Sequence, residues 1–372
     1  MRVLHVSEVS WGGVVSVLSH LTSEQVRRGY VVTMLVPPAF PDMALCGTAR
    51  YDWAVDRRRP VTFPRAVAQL RSAVGRHRPD VVHLHSAFAG FFGRLPLLSG
   101  MGAVPVVYQP HAWSFDMFDQ GRMRTAAEAW ERLASRRTDM LVANCTDEIV
   151  QGERVGVRGP ARPLGVPLDV DHFHEVDHDE RARQRAETGV TRPRSVLCVG
   201  RLARQKGQDL LVAAWEADPV PDTELVLVGP GDPEPLRRLA PREWGTTIRW
   251  EGEQADVRPY LWASDLLVLP SRYETVAVVV AEAMACGLPV VACAVNGVQM
   301  AVTDGPYPAG GRVVGREDAQ ALLEQSRLLL ADAEQRAVLS RAGRQRVTAM
   351  FTPALVTDLL DSAYDRARTE KQ

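Results

Sequence analysis

Two stretches of the chain combine cations and carboxylates in a way suited to binding a polyanion and a polyol. Val199-Gly200-Arg201-Leu202-Ala203-Arg204-Gln205-Lys206-Gly207 closes an apolar run with Gly-Arg and supplies a lysine five residues later. A forked guanidinium and a compact ammonium can share one diphosphate. A surface lysine in a turn is the alternative. Composition weighs against it, because of 44 Lys plus Arg only Lys206 and Lys371 are lysines. In the second stretch, Glu274 ends a loop and Glu282 follows eight residues later inside an apolar helical run. Burying a carboxylate without a partner is costly, so Glu282 calls for a specific one. A sugar or ribose hydroxyl, a structural arginine or a backbone cap would each serve.

Smaller signals lie elsewhere. Ser10-Trp11-Gly12-Gly13-Val14 opens a helical pattern after the first apolar run, as either a tight turn or a close backbone approach to an anion at a helix start. Gly229-Pro230-Gly231 follows a strand but lacks the third glycine of a dinucleotide fingerprint, and reads as a turn. His83 and His85 alternate on one strand face, while His172, His174 and His178 crowd an acidic stretch. None has the spacing of a closed metal site, and no metal is expected. Cys46, Cys145, Cys198, Cys286 and Cys293 show no Cys-x-x-Cys spacing and read as reduced thiols of a cytoplasmic protein.

The elements that must position these residues follow from hydropathy. Short apolar runs alternate with helical patterns: Val3 to Ser7, Val31 to Val36, Val81 to His85, Val104 to Tyr108 and Met140 to Ala143. A second set comprises Ser195 to Val199, Leu225 to Val228, Ile248 to Trp250, Leu266 to Leu269 and Val290 to Cys293. Such alternation predicts α/β architecture with two doubly wound parallel sheets. The expected boundaries are 1–168 and 169–350, with a charged linker over 169–194. A terminal helix in 351–372 carries Leu355, Val356, Leu359, Leu360 and Tyr364 on one face. Periodicity lets it dock on the second domain or cross back to the first.

Composition sets outer limits. At 372 residues, 46% hydrophobic and with a net charge of −1, the chain has a sizeable core and no global field for nucleic acid or an anionic membrane. The Val276 to Val295 window is apolar but contains Glu282 and Gly287-Leu288-Pro289, so it predicts a buried helix, a turn and a buried strand. Arg57 to Arg78 holds seven arginines and no acid, around a Phe63, Val67, Leu70 and Val74 stripe. It reads as an amphipathic surface helix, with a membrane or phosphate contact as the alternative.

Taken together, Gly200-Arg201 with Lys206-Gly207, the Glu274 and Glu282 pair and Glu282-Ala283-Met284-Ala285-Cys286-Gly287-Leu288-Pro289-Val290-Val291 resemble the retaining GT-B glycosyltransferases of family four. Asp80-Val81-Val82-His83-Leu84-His85-Ser86, His111, Gly165-Val166-Pro167-Leu168-Asp169 and Asp265 to Ser271 stand in the order of that family. The resemblance implies a GT-B fold, two Rossmann-like domains facing a cleft. It implies a UDP-sugar donor on the second domain, an acceptor on the first and no metal requirement. By the same resemblance Arg201 and Lys206 neutralise the diphosphate and Glu282 holds the ribose. Glu274 with the amides of Val276, Ala277 and Val278 holds sugar hydroxyls. Gly12 and Gly13 approach the phosphates, and His111 contacts the sugar near the reacting carbon.

The chain departs from the family pattern in two places. Thr275-Val276-Ala277-Val278 stands where Gly-Phe-Gly-Leu is common, and Met300 stands where a glutamate is usual. On the acceptor side, Glu8, Asp116 and Asp119 could surround a cationic group. The first thirteen residues resemble, more loosely, enzymes that glycosylate 2-deoxystreptamine-type aminocyclitols in antibiotic biosynthesis. The leading expectation is therefore transfer of a hexose or N-acetylhexosamine to a small hydroxylated acceptor. A peripheral membrane transferase of envelope or exopolysaccharide assembly and a non-catalytic nucleotide-sugar binding protein are the alternatives.

Overall fold

The computed structural model describes residues 1–42, 47–56, 58–95, 100–118, 120–274 and 277–371. The backbone separates into two units, Met1–Pro167 with Pro353–Gln372, and Leu168–Thr352. In the first, strands β1 (Arg2–Ser7), β2 (Val31–Val36), β3 (Ala49–Asp52), β4 (Val81–His85), β5 (Val106–Gln109), β6 (Met140–Ala143) and β7 (Ala161–Pro163) form one sheet. Their order is β3-β2-β1-β4-β5-β6-β7, with every pairing parallel. Helices α1 (Gly13–Arg27), α2 (Phe63–His77), α3 (Ser86–Gly93), α4 (Arg122–Ala134) and α5 (Thr146–Arg154) connect them.

The second unit repeats the plan. Strands β8 (Arg194–Val199), β9 (Thr223–Val228), β10 (Ile248–Trp250), β11 (Leu266–Leu269), β12 (Val290–Cys293) and β13 (Gly311–Val314) pair in parallel, in the order β10-β9-β8-β11-β12-β13. Its helices are α6 (His178–Glu187), α7 (Gln208–Ala217), α8 (Glu234–Leu239), α9 (Arg258–Ala263), α10 (Val278–Ala285), α11 (Val298–Val302), α12 (Ala319–Ala331) and α13 (Ala333–Met350). The expected linker contains α6, which Asp177 caps through the Glu180 amide at 2.8 Å and which packs on α9. Segment 169–194 is thus partly built into the second unit.

Ten strands lie on the apolar runs seen in the sequence. The other three, β3, β7 and β13, each end a sheet. Edge strands are short and face solvent on one side, which leaves little hydrophobic signal to detect. α2 buries Ala66, Leu70, Ala73 and Val74. No helix among the described residues is long and apolar enough to cross a membrane.

The last helix, α14 (Pro353–Lys371), belongs to the first unit and packs against α1, β5 and β6. It buries Val356, Thr357, Leu360, Ala363, Tyr364 and Ala367, so its inner face is rotated from the expected stripe and Leu355 is exposed. Arg28 donates to Asp358, Asp361 and the Ala354 carbonyl, and Tyr30 donates to Asp361. At its far end, Lys371 Nζ meets Asp139 Oδ2 at 2.7 Å.

Strand order reverses between β1 and β4 in the first sheet and between β8 and β11 in the second. Parallel sheets bind ligands beyond the carboxyl ends of their strands at such switch points. The residues singled out from the sequence fall near both.

Candidate active site

In the second unit the loops after β8 and β11 are tied together. The Arg272 amide donates to the Gln205 carbonyl at 2.8 Å, and the Arg272 guanidinium grips both oxygens of Asp209 at 2.7 Å and reaches Glu317. Gly207, which precedes α7, has φ 69°, and a Cβ there would lie 2.1 Å from the Pro270 carbonyl oxygen. Only glycine allows the two loops to approach this closely. Gly229 acts likewise, since a Cβ would come 2.3 Å from the Gly200 carbonyl. Gly229-Pro230-Gly231 therefore supports the Gly200-Arg201 turn from below, and the Leu202 amide donates to the Pro230 carbonyl.

On this scaffold Lys206 Nζ lies 2.7 Å from Glu274 Oε1, and Ser271 Oγ donates to the same oxygen at 2.6 Å. The sequence suggested separate ligands for Lys206 and Glu274, but the structure pairs them. Ser271 had no role assigned. Arg201 is exposed at the mouth of its loop. Glu282 projects from apolar α10, partly buried and with no hydrogen-bond partner for its carboxylate among the described residues. Desolvation pushes its pKa up to about 7. Among the described residues neither a structural arginine nor a backbone cap pairs with it.

Ala277 immediately precedes α10 with φ −81°, a conformation that does not need the family's glycine. Val276 and Thr275 lie outside the described residues. Met300 sits on α11 and packs against the apolar core of the second unit.

In the first unit the carboxyl ends of four adjacent strands carry polar residues: Ser7 ending β1, His85 ending β4, Gln109 ending β5 and Asn144 just after β6. His111 stands two residues beyond β5. Its φ of 52° and that of Ala112, 119°, place two non-glycine residues in the left-handed region, at a cost of about 1–3 kcal/mol each. Glu148 offsets this cost. One of its oxygens accepts from the Ala112 amide at 3.0 Å and the other from the Asn144 amide at 2.9 Å. Burial raises the Glu148 pKa to about 7. Nothing in the sequence singled out Glu148; its place on the first turn of α5, beside the strand ends, is the signal.

Gly12 precedes α1 and Gly13 opens it, both exposed, with open space where a Gly12 side chain would go. Glu8, expected near the acceptor, spends both oxygens on the Phe88 and Ala89 amides at the start of α3, at 2.9 and 3.0 Å. Those bonds account for Glu8 without an acceptor. Asp116 accepts from Gln151 Nε2 at 2.7 Å, and burial raises its pKa. Asp119 and Arg57 lie outside the described residues.

Residues 11–172 match the model described as Glycosyltransferase Family 4, and residues 193–332 match Glycosyl transferases group 1. The chain is 32% identical over 336 residues to D-inositol 3-phosphate glycosyltransferase 1 of Catenulispora acidiphila, covering 82% of this chain and 77% of that one. The chain belongs to this glycosyltransferase family.

The glycosyltransferase is also 29% identical to a GDP-mannose-dependent alpha-(1-6)-phosphatidylinositol monomannoside mannosyltransferase of Mycolicibacterium smegmatis, over 90% of this chain and 89% of that one. Among solved structures, Anabaena HepE in complex with UDP and glucose matches with a TM-score of 0.83 at 20% identity, over 98% of this chain and 99% of that one. Sucrose-phosphate synthase from Thermosynechococcus elongatus matches at 0.81 and 22%, over 99% of each chain. The two parallel-sheet units are those of the GT-B fold.

The electrostatics of the glycosyltransferase differ between its two sets of strand ends. His5, His83, His85 and His111 are buried or nearly so, and desolvation drives all four pKa values down, His5 to about 4 and His111 to about 3. Ring nitrogens of His5, His83 and His85 come within 4.8 Å of one another, although His5 Nδ1 and His85 Nε2 are already hydrogen-bonded at 2.9 Å. In the second unit, by contrast, a cation and two carboxylates share the strand ends.

Proposed function

We propose that this glycosyltransferase takes a hexose or N-acetylhexosamine from a UDP-sugar and places it, with retention, on a small ring polyol, specifically an aminocyclitol of the 2-deoxystreptamine type in antibiotic biosynthesis. Glu282 carries the reading. A carboxylate left without a partner in an apolar helix, beyond the switch point that bears the Lys206 and Glu274 pair, suits a ribose hydroxyl. Arg201 and Lys206 stabilise the departing diphosphate. Glu274 and the amides opening α10 hold the sugar, and the family resemblance assigns donor contacts to Gly12, Gly13 and His111 as well.

The relatives named for D-inositol 3-phosphate support a cyclitol acceptor, and Asp116 adds a carboxylate suited to an ammonium on it. Retention is assigned to same-face attack, because no carboxylate stands out as a nucleophile. The bond from the anomeric carbon to the phosphate oxygen breaks as the bond to the acceptor oxygen forms. The acceptor's proton passes to the leaving phosphate.

A donor panel followed by thermal shift tests the reading, since at a fixed concentration a bound donor raises the melting temperature more the more tightly it binds, with the logarithm of affinity. UDP-sugars should stabilise the protein more than GDP- or ADP-sugars, and 2-deoxystreptamine should be glycosylated in their presence. Stabilisation by GDP-mannose alone, or turnover only on a lipid-linked acceptor, would replace it.

A further inference from the structure

The first unit carries a chain of hydrogen-bonded side chains to which the transfer reaction described above assigns no role beyond His111. His111 Nε2 lies 3.0 Å from His85 Nδ1, His85 Nε2 lies 2.9 Å from His5 Nδ1, and His5 Nε2 lies 2.9 Å from Gln25 Oε1. Gln25 Nε2 faces Tyr364 Oη at 3.4 Å, and that hydroxyl lies 2.8 Å from His83 Nδ1. Side chains from β1, β4, α1 and α14 thus converge below the residue expected at the transferred sugar. Resting on that reading of His111, we propose that Gln25, His5 and His85 are positioning residues that hold the His111 ring with its proton on Nε2 and its lone pair on Nδ1.

The direction follows from donor and acceptor accounting. Gln25 Oε1 can only accept, so His5 must carry its proton on Nε2 and offer a lone pair at Nδ1. His85 then donates from Nε2 and accepts at Nδ1, which requires His111 to donate from Nε2. At the open end Asn144 Nδ2 points at His111 Nδ1 from 3.4 Å, while Asn144 Oδ1 accepts from Gln109 Nε2 at 2.9 Å. The lone pair on Nδ1 is therefore the ring's one acceptor, and the Asn144 amide nitrogen faces it. The opposite tautomers would require Gln25, Asn144 and Gln109 to reverse their amides together.

The chain is built to hold a proton in place. Passing protons along it from His111 would end at a primary amide, which cannot release one onward, so it is a poor relay. Burial reinforces the neutral form, because every histidine in it is shifted down. The titratable groups packed around it are His83 from β4, Tyr364 from α14, whose pKa burial raises well above its usual value, and Glu148 from α5, which accepts from the Asn144 amide. Tyr364 gives α14 a function in the site, since it is the partner of the Gln25 amide that sets the chain's direction.

Ring nitrogen-15 spectra of the full-length protein, assigned with single histidine variants, test the proposal without any change to the chain. Protonated Nε2 and bare Nδ1 in His5, His85 and His111 at pH 7 are expected. Protonated Nδ1 in these rings would overturn it, as would stoichiometric zinc binding by His5, His83 and His85. Gln25→Glu supplies the kinetic arm. A carboxylate facing His5 should raise its pKa and move the acidic limb of the kcat profile up by at least about one pH unit, with donor KM unchanged. An unmoved profile in Gln25→Glu, with turnover abolished in His111→Ala, would overturn the chain's role and leave the site reading intact. Wild-type turnover in His111→Ala would instead remove the site reading, and the spectra would still decide the tautomers.

Discussion

The two sets of strand ends solve the problem of burying polar groups in opposite ways. In the first unit His111, His85 and His5 are hydrogen-bonded in series, Glu148 accepts from two backbone amides, and Glu8 caps a helix. In the second, Lys206 and Glu274 form one ion pair with Ser271, while Glu282 has no partner among the described residues. A hydrogen-bonded network specifies geometry even though His83 Nε2 and Gln109 Oε1 are buried in it without partners, whereas an unsatisfied carboxylate stores a desolvation cost that a ligand can relieve. Comparing them separates residues that shape a site from those that bind within it.

Acid should distinguish the units most strongly. The four histidines have folded pKa values below the ordinary 6.5, so the unfolded chain binds more protons and stability is lost as pH falls from about 6.5 towards 4. With ~1.4 kcal/mol per proton and pH unit, four sites give at most about 6 kcal/mol per unit. Glu148, with its raised pKa, opposes this between about 4.5 and 7. Glu282 acts on the second unit in that same opposing direction, its contribution being lost as pH rises from about 4.5 through about 7. Hydrogen exchange resolved by peptide should show the first unit losing protection at pH 5 before the second; simultaneous loss would break the comparison.

Lys206→Ala comes next. Removing the ammonium takes away phosphate stabilisation and leaves buried Glu274 with only Ser271, so turnover should fall by about 10²–10³. Steady-state kinetics check this, and a smaller loss than in Arg201→Ala would shift the main phosphate role to Arg201. Glu282→Gln should weaken donor binding by roughly tenfold, because a hydrogen bond to a charged acceptor is worth about 1.5–3 kcal/mol. At pH 8 the same change should raise the melting temperature without donor, since the buried charge is gone. Calorimetry showing unchanged UDP affinity would leave Glu282 with only its cost. The smallest effect is expected at the other lysine. Lys371→Ala breaks a partly exposed pair with Asp139, should cost under about 1 kcal/mol and leave turnover unchanged.

Much of the second unit's site was legible from sequence because its residues are local to two loops: Gly200 to Gly207, and Pro270 to Glu282. The Lys206 to Glu274 pair was not, since it joins residues 68 positions apart and depends on β8 lying beside β11. The first unit's site was harder to read. His111, His83 and His85 stood out as types, but Gln25, Asn144, Glu148 and Tyr364 look like ordinary helix or loop residues until the strands align them. Edge strands β3, β7 and β13 escaped for want of hydrophobic signal, and Leu355 was misplaced because a helical stripe tolerates rotation.

The sequence by itself determined two parallel α/β units and the residue types of a phosphate and sugar site, because strand periodicity, glycine spacing and lysine scarcity are local properties of the chain. Only the tertiary structure decided which polar groups would be spent on one another. That depends on switch-point strands and α14 bringing His5, Gln25, His85 and Tyr364 within hydrogen-bond reach, where burial makes each unmade bond costly.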